Sequence, residues 1–260
     1  QMDTLADAAS PDLLAHAAHQ LKCRSVAFTY NDPTIFIEYA IDTARACHDR
    51  DIKTVAVTAG YICPDPRAEF FAHIDAANID LKGFTESFYH DLCSSHLQPV
   101  LETLKYLVHE TPVWIEVTTL LIPGENDSET ELDGMTAWFA ENLGPGVPLH
   151  FSAFHPDYRM METPATPHAT LSRAREIALG NGLHHVFLGN VHDAQGSSTY
   201  CSACGTTLIG RDWYQLSEWN LSHDGHCLGC GTRCSGVFDG APGTWGPKRQ
   251  PVRLSAYKSA

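Results

Sequence analysis

Six times between residues 26 and 188, a short β-branched or aromatic run stops abruptly in a cluster of polar, Gly and Pro residues. Residues 26–30 run into Asn31-Asp32-Pro33, 54–57 into Thr58-Ala59-Gly60-Tyr61, and 79–81 into Lys82-Gly83-Phe84. Residues 113–122 run into Pro123-Gly124-Glu125-Asn126-Asp127, 149–154 into His155-Pro156-Asp157-Tyr158, and 186–188 into Gly189-Asn190. The strand starts lie 25 to 36 residues apart, the size of a β/α unit with its return loop. Helical spacing of apolar residues predicts helices over 11–22, 33–50, 66–77, 96–109, 128–142 and 170–181. Successive strands of a parallel array point the same way, so their C-terminal ends share one face, where such folds hold ligands. The rhythm fits a barrel with one polar mouth. Helices on both faces of an open sheet fit it equally well.

The 260 residues are enough to bury a core and to carry a second, smaller domain. No run approaches the roughly 20 apolar residues that span a bilayer, and no signal peptide is visible at the start. The formal net charge is −14, and the first 189 residues hold 26 acidic against 11 basic side chains. Such a surface repels nucleic acid and anionic membranes. Nine cysteines without an export signal read as reduced thiols or metal ligands, and the expected location is cytoplasmic.

After Asn190 the texture changes to Gly, Ser and Cys. Cys201-Ser-Ala-Cys204-Gly and Cys227-Leu-Gly-Cys230-Gly are two CxxCG turns with 22 residues between them. Each places two thiolates on one side of a tight loop, and the β-prone insert between them suits a hairpin. The pair predicts a tetrahedral four-sulfur site, for which zinc is the first choice and iron the second. Cys234 reads as a spare thiol. The organisation expected is a barrel over 1–190, a zinc-ribbon-like module over 191–245 and a tail over 246–260.

Taken in order, Thr29-Tyr30-Asn31-Asp32-Pro33-Thr34, Thr58-Ala59-Gly60-Tyr61-Ile62, Asp80-Leu81-Lys82-Gly83-Phe84, Ile122-Pro123-Gly124-Glu125-Asn126-Asp127-Ser128 and 150–158 precede the Thr199-Tyr200-Cys201 knuckle. This series resembles the radical S-adenosylmethionine (SAM) enzymes of the AmmeMemoRadiSam system, relatives of the pyruvate formate-lyase activating enzyme. The resemblance implies a partial parallel (β/α) barrel of about six strands. It also implies reductive cleavage of SAM at a [4Fe–4S] cluster, giving a 5′-deoxyadenosyl radical that abstracts hydrogen from a substrate, which includes proteins. Its cofactors would be SAM, the cluster and zinc, with a flavodoxin or ferredoxin as reductant. The positions carried over are Asn31, Asp32 and Pro33 for the methionine amine, and Thr58 and Gly60 beside the cofactor. Asp80, Lys82 and His155 would take the carboxylate and ribose. Tyr30, Phe84, Phe154 and Tyr158 are candidates to wall the mouth.

One departure from that pattern stands out. The CxxxCxxC loop that holds such a cluster occurs nowhere in the chain: Cys23, Cys47, Cys63 and Cys93 are 16 to 30 residues apart. Cys23 and Cys47 read as buried small hydrophobes. Residue 1 is Gln and the first strand arrives only at Val26. The expectation is therefore a barrel truncated at its N-terminus, its cluster loop preceding Gln1, and inactive alone. The alternatives are a cluster-free barrel that acts as a ligand- or protein-binding scaffold, and a lyase that uses Lys82 as a Schiff base.

Overall fold

Six parallel strands pair in strict chain order. They are β1 (Ser25–Phe28), β2 (Lys53–Thr58), β3 (Ala76–Asp80), β4 (Trp114–Leu121), β5 (Leu149–Ala153) and β6 (Val186–Gly189). Each crossover therefore steps to the next strand in the same direction. Parallel crossovers are right-handed, so sequential order puts every connecting helix on one face of the sheet. A doubly wound sheet would reverse direction partway, and this one does not. The computed structural model, which describes residues 8–243, 246 and 248–257, thus shows a partial (β/α) barrel. Among the described residues β1 and β6 each pair on one side only, so the barrel is open.

The outer layer is α2 (Ile37–His48), α3 (Pro64–Phe71), α4 (Glu86–Cys93), α5 (Leu97–Glu110), α6 (Glu129–Asn142) and α7 (His168–Gly180), with α1 (Pro11–Gln20) packed on α2. Strand residues alternate strictly. Ile79, Val117, Leu149 and Phe151 point into the helix layer and are fully or almost fully buried with Leu104, Leu107 and Phe139. Trp114, Glu116, Thr118, His150 and Phe187 point the other way, are half-buried, and line a concave face. Ser10 caps α1 by accepting from the Leu13 amide, with Pro11 in the first turn as its sequence suggests.

Three local expectations change. The third helix stops at Phe71, because Ala76 and Ala77 are needed as strand residues between Val55-Ala56 and Trp114-Ile115. Pairing on both sides overrides the helical preference of the two alanines. The second helix begins as a 3₁₀ turn over Pro33–Phe36 before α2 takes over. Helix α4 is an addition, started by the Thr85 hydroxyl accepting from the Phe88 amide. Cys47 is buried as expected, whereas Cys23 is exposed just before β1.

Beyond β6 lie α8 (Ala194–Ser197) and a three-stranded antiparallel sheet of β7 (Thr199–Tyr200), β8 (Thr207–Asp212) and β9 (Gln215–Trp219). The segment that follows runs beneath the N-terminal ends of the barrel strands. Ser235 occupies the space a side chain at Gly146 would need, and Asp239 pairs with Arg24.

One charged node ties β2 to β3 at that lower end. Asp75 accepts from Lys53 Nζ (2.7 Å) and the Thr54 amide (2.9 Å), and lies 2.8 Å from His48 Nε2. Burial would raise its pKa, but these three partners together hold it down to about 2. The stability this contributes is complete above about pH 5 and is lost as pH falls toward 2. Asp75→Asn should lower the melting temperature at pH 7, and the gap to the native protein should close as pH falls from 5 to 2. Thermal unfolding across that range checks this, and a gap independent of pH would contradict it.

Candidate functional site

Parallel strands bring the turn residues of β1, β2, β3 and β5 to one edge. There Asp32 Oδ1 accepts from the Thr34 amide (3.0 Å) and the Thr34 and Thr58 hydroxyls (both 2.9 Å), while Oδ2 accepts from the Ala59 amide (2.8 Å). Asp32 thus caps the 3₁₀ turn and ties the β1 loop to the end of β2. Pro33 is buried behind it and Asn31 is exposed. The Thr58 hydroxyl also accepts from the Gly60 amide at 3.1 Å. Gly60 has φ +67°, and a Cβ there would sit 2.9 Å from Ile79, so the turn requires glycine.

Lys82 Nζ donates to Asp80 Oδ2 at 2.9 Å, both side chains remaining partly exposed. The backbone around Lys82 is fixed from two sides. Its amide donates to the Tyr89 hydroxyl (3.1 Å), and its carbonyl accepts from Asn126 Nδ2 (2.7 Å). Asn126, 2% exposed, also holds the Ile122 amide and the Leu120 carbonyl. It clamps the β3 and β4 loops together, a role hidden in what reads as turn chemistry. His155 is exposed, its Nδ1 3.4 Å from the Pro156 carbonyl.

Asp32 with Thr58, and Asp80 with Lys82, are therefore brought together as pairs. His155 touches neither; it lies two strands from Asp80, roughly 10 Å along the same edge. Of the aromatic candidates, Tyr30 and Tyr158 stand in solvent, 95% and 79% exposed. Phe154 belongs to the core, and Phe84 packs on Trp138 with ring centres 5.9 Å apart.

The concave face below carries polar groups that the sequence reading missed. Glu116 Oε2 lies 2.7 Å from His150 Nε2, and Asn78 Nδ2 donates to Thr118 Oγ1 at 2.9 Å. His150 stacks on Phe187 with centres 5.0 Å apart. Burial pushes the Glu116 carboxyl up, but His150, Trp114 and Arg211 outweigh it and hold it below its ordinary range. The available signal was a polar residue at alternate positions of otherwise apolar strands.

In the C-terminal module the sulfurs of Cys201, Cys204, Cys227 and Cys230 all lie within 4.8 Å of one another. Cys201 and Cys230 are 3.5 Å apart, Cys204 and Cys227 3.8 Å. Tetrahedral zinc with bonds of about 2.3 Å needs sulfurs about 3.8 Å apart, so the residues fit a metal ion. The two knuckles are built alike: the Gly205 amide donates to the Cys201 carbonyl (2.9 Å) and the Gly231 amide to the Cys227 carbonyl (2.8 Å). Hydrogen bonding from Thr206 lowers the Cys204 thiol to about 6, favouring the thiolate a metal takes, while burial raises Cys201. Cys234 is buried beside the knuckles and outside the four-sulfur group. Cys23, Cys47, Cys63 and Cys93 form no such group, so the described residues do not fit a [4Fe–4S] cluster.

The radical SAM superfamily profile matches residues 3–133, half of the chain. The chain belongs to the radical SAM superfamily. It is 37% identical over 225 residues to an uncharacterized protein of Methanocaldococcus jannaschii, covering 86% of this chain and 66% of that protein. It thus spans just under two thirds of that relative's length. A domain of pyruvate-formate lyase-activating enzyme from Bacteroides vulgatus superposes with TM-score 0.56 at 18% identity, covering 64% of this chain and 99% of that domain. Streptococcus suis SuiB bound to S-adenosylmethionine gives TM-score 0.58 at 14% identity over 72% of this chain and 45% of SuiB. These likenesses establish the same barrel fold. Among the described residues no helix is long and apolar enough to cross a membrane.

Replacing one ligand of a four-sulfur site leaves the ion three-coordinated and the small module without its centre. Cys204→Ser should reduce bound metal from about one ion per chain to none and remove the module's thermal transition. Elemental analysis with thermal unfolding tests this, and full metal content in the variant would contradict it.

Proposed function

We propose that the protein is a SAM-dependent enzyme in which this chain supplies the SAM-binding barrel and the metal-stabilised module. The observation that carries the reading is the adjacent pairs Asp32–Thr58 and Asp80–Lys82 on the C-terminal strand edge. They lie in the half of the chain that matches the superfamily. SAM is a zwitterion with a sulfonium and a ribose. Lys82 provides a cation for its carboxylate, Asp80 and His155 acceptors for ribose hydroxyls, and exposed Asn31 an acceptor for the amine. Asp32 spends its oxygens on Thr34, Thr58 and Ala59, so it positions the β1 loop that carries Asn31 against the β2 loop that carries Gly60.

Radical SAM chemistry takes its electron from an iron–sulfur cluster. In this reading the cluster's cysteines lie outside these 260 residues, and the chain alone does not cleave SAM. The whole protein is then an activating-type enzyme of the AmmeMemoRadiSam system, acting on a protein substrate with a flavodoxin- or ferredoxin-like reductant in the cytoplasm. The ion of the four-cysteine module is zinc, in a structural role. The absence of a cluster-binding cysteine group among the described residues favours one rival, a cluster-free scaffold.

Titration calorimetry of the chain with SAM should show saturable binding that Lys82→Met weakens by about ten-fold, the scale of one charge-assisted hydrogen bond. No binding, or equal binding by the variant, would sink the site assignment. Production of 5′-deoxyadenosine by the iron-reconstituted full-length protein separates the enzyme from the scaffold.

A further inference from the structure

A cleft of about 900 Å³ lies away from the strand mouth. It lies lower on the concave face, between the N-terminal halves of the barrel strands and the cysteine module. Trp114, Glu116, His150 and Phe187 form one wall, and Arg211 with residues 234–238 forms the other. The row of Trp114 lies four residues below that of Asp80 and Thr118, roughly 13 Å from it along the strands. This is a second compartment, beneath the mouth.

Its polar groups are unequally satisfied. Glu116 is held by His150 and by Trp114 Nε1 at 3.4 Å, and the charge of Arg211 acts on it without a hydrogen bond. Asp75 and Lys53 neutralise each other. Arg211, reaching across from β8, is anchored through Nη1 alone, which donates to Thr199 Oγ1 (2.6 Å) and to the Ser197 carbonyl (3.4 Å). Its guanidinium carbon lies 5.6 Å from the centre of the Phe187 ring, leaving Nε and Nη2 as a two-pronged donor. His185, 4% exposed, also lines the cleft, and its Nδ1 is buried without a partner.

We propose that this cleft binds an organic anion. Arg211 takes its carboxylate or phosphate through the free prongs, and Trp114 and Phe187, which line the cleft, wall its planar body. The site requires the cysteine module, because the module provides Arg211. The proposal does not rest on radical chemistry and stands or falls separately from SAM binding.

The test uses the full chain with its metal and three probes of one shape: 2-naphthoate, 2-naphthyl phosphate and neutral 2-naphthamide. Calorimetry should show one of the anions binding saturably and at least about ten-fold tighter than the amide. The tighter of the two identifies the group the site prefers. Arg211→Met should abolish that discrimination, and Phe187→Leu should weaken all three probes together. If the methionine variant misfolds, Arg211→Lys keeps the charge and loses the fork, and should retain only part of the preference. Equal affinity for all three probes, no saturable binding, or discrimination that survives in the Arg211 variant would overturn the proposal.

Discussion

Everything in this molecule depends on the handedness of its crossovers. Six strands added in sequence, each by a right-handed step, oblige all the helices to one side. The opposite face then has no helix layer to cover it, so it can afford polar residues. Asn78, Glu116, Thr118 and His150 sit there bonded to one another, in pairs that span neighbouring strands. The same alternation that buries Val117 and Phe151 outward presents these groups inward.

The polar mouth is held by a few side chains that serve the backbone. Asp32 joins the first two loops, and Asn126 joins the next two through three hydrogen bonds. With those loops fixed, Lys82 and Asp80 keep partly exposed side chains on an ordered edge. Asp32 and Asn126, whose side chains are taken up by the loops, set the positions, and the partly exposed Asp80–Lys82 pair stands on the edge they fix. At the other end the metal knuckles do the equivalent work. Cys201 and Cys227 sit in the small buried cluster of this segment with Leu208, Ile209 and Leu221, and the chain that follows floors the barrel.

Much of this was legible in the chain. The six strand-to-turn transitions located every parallel strand to within a few residues, because parallel strands buried between neighbours are apolar runs with sharp ends. The four ligand cysteines were legible because CxxCG spacing has few other uses. The sequence left the barrel and the doubly wound sheet equal, since strand order is a property of pairing and not of periodicity. Ala76 and Ala77 misled for the same reason: their neighbours in space decide their conformation. The Glu116–His150 pair, 34 residues apart, and the approach of Arg211 to Phe187 were invisible because they depend on strand register and on how the module docks.

The most direct test of the central claim, that the C-terminal strand edge is the SAM site, is hydrogen–deuterium exchange with and without SAM. The account predicts protection of backbone amides in 31–34, 58–60 and 80–84, with 201–234 unchanged. Protection confined to the cysteine module, or none in those three loops at saturating SAM, would contradict it.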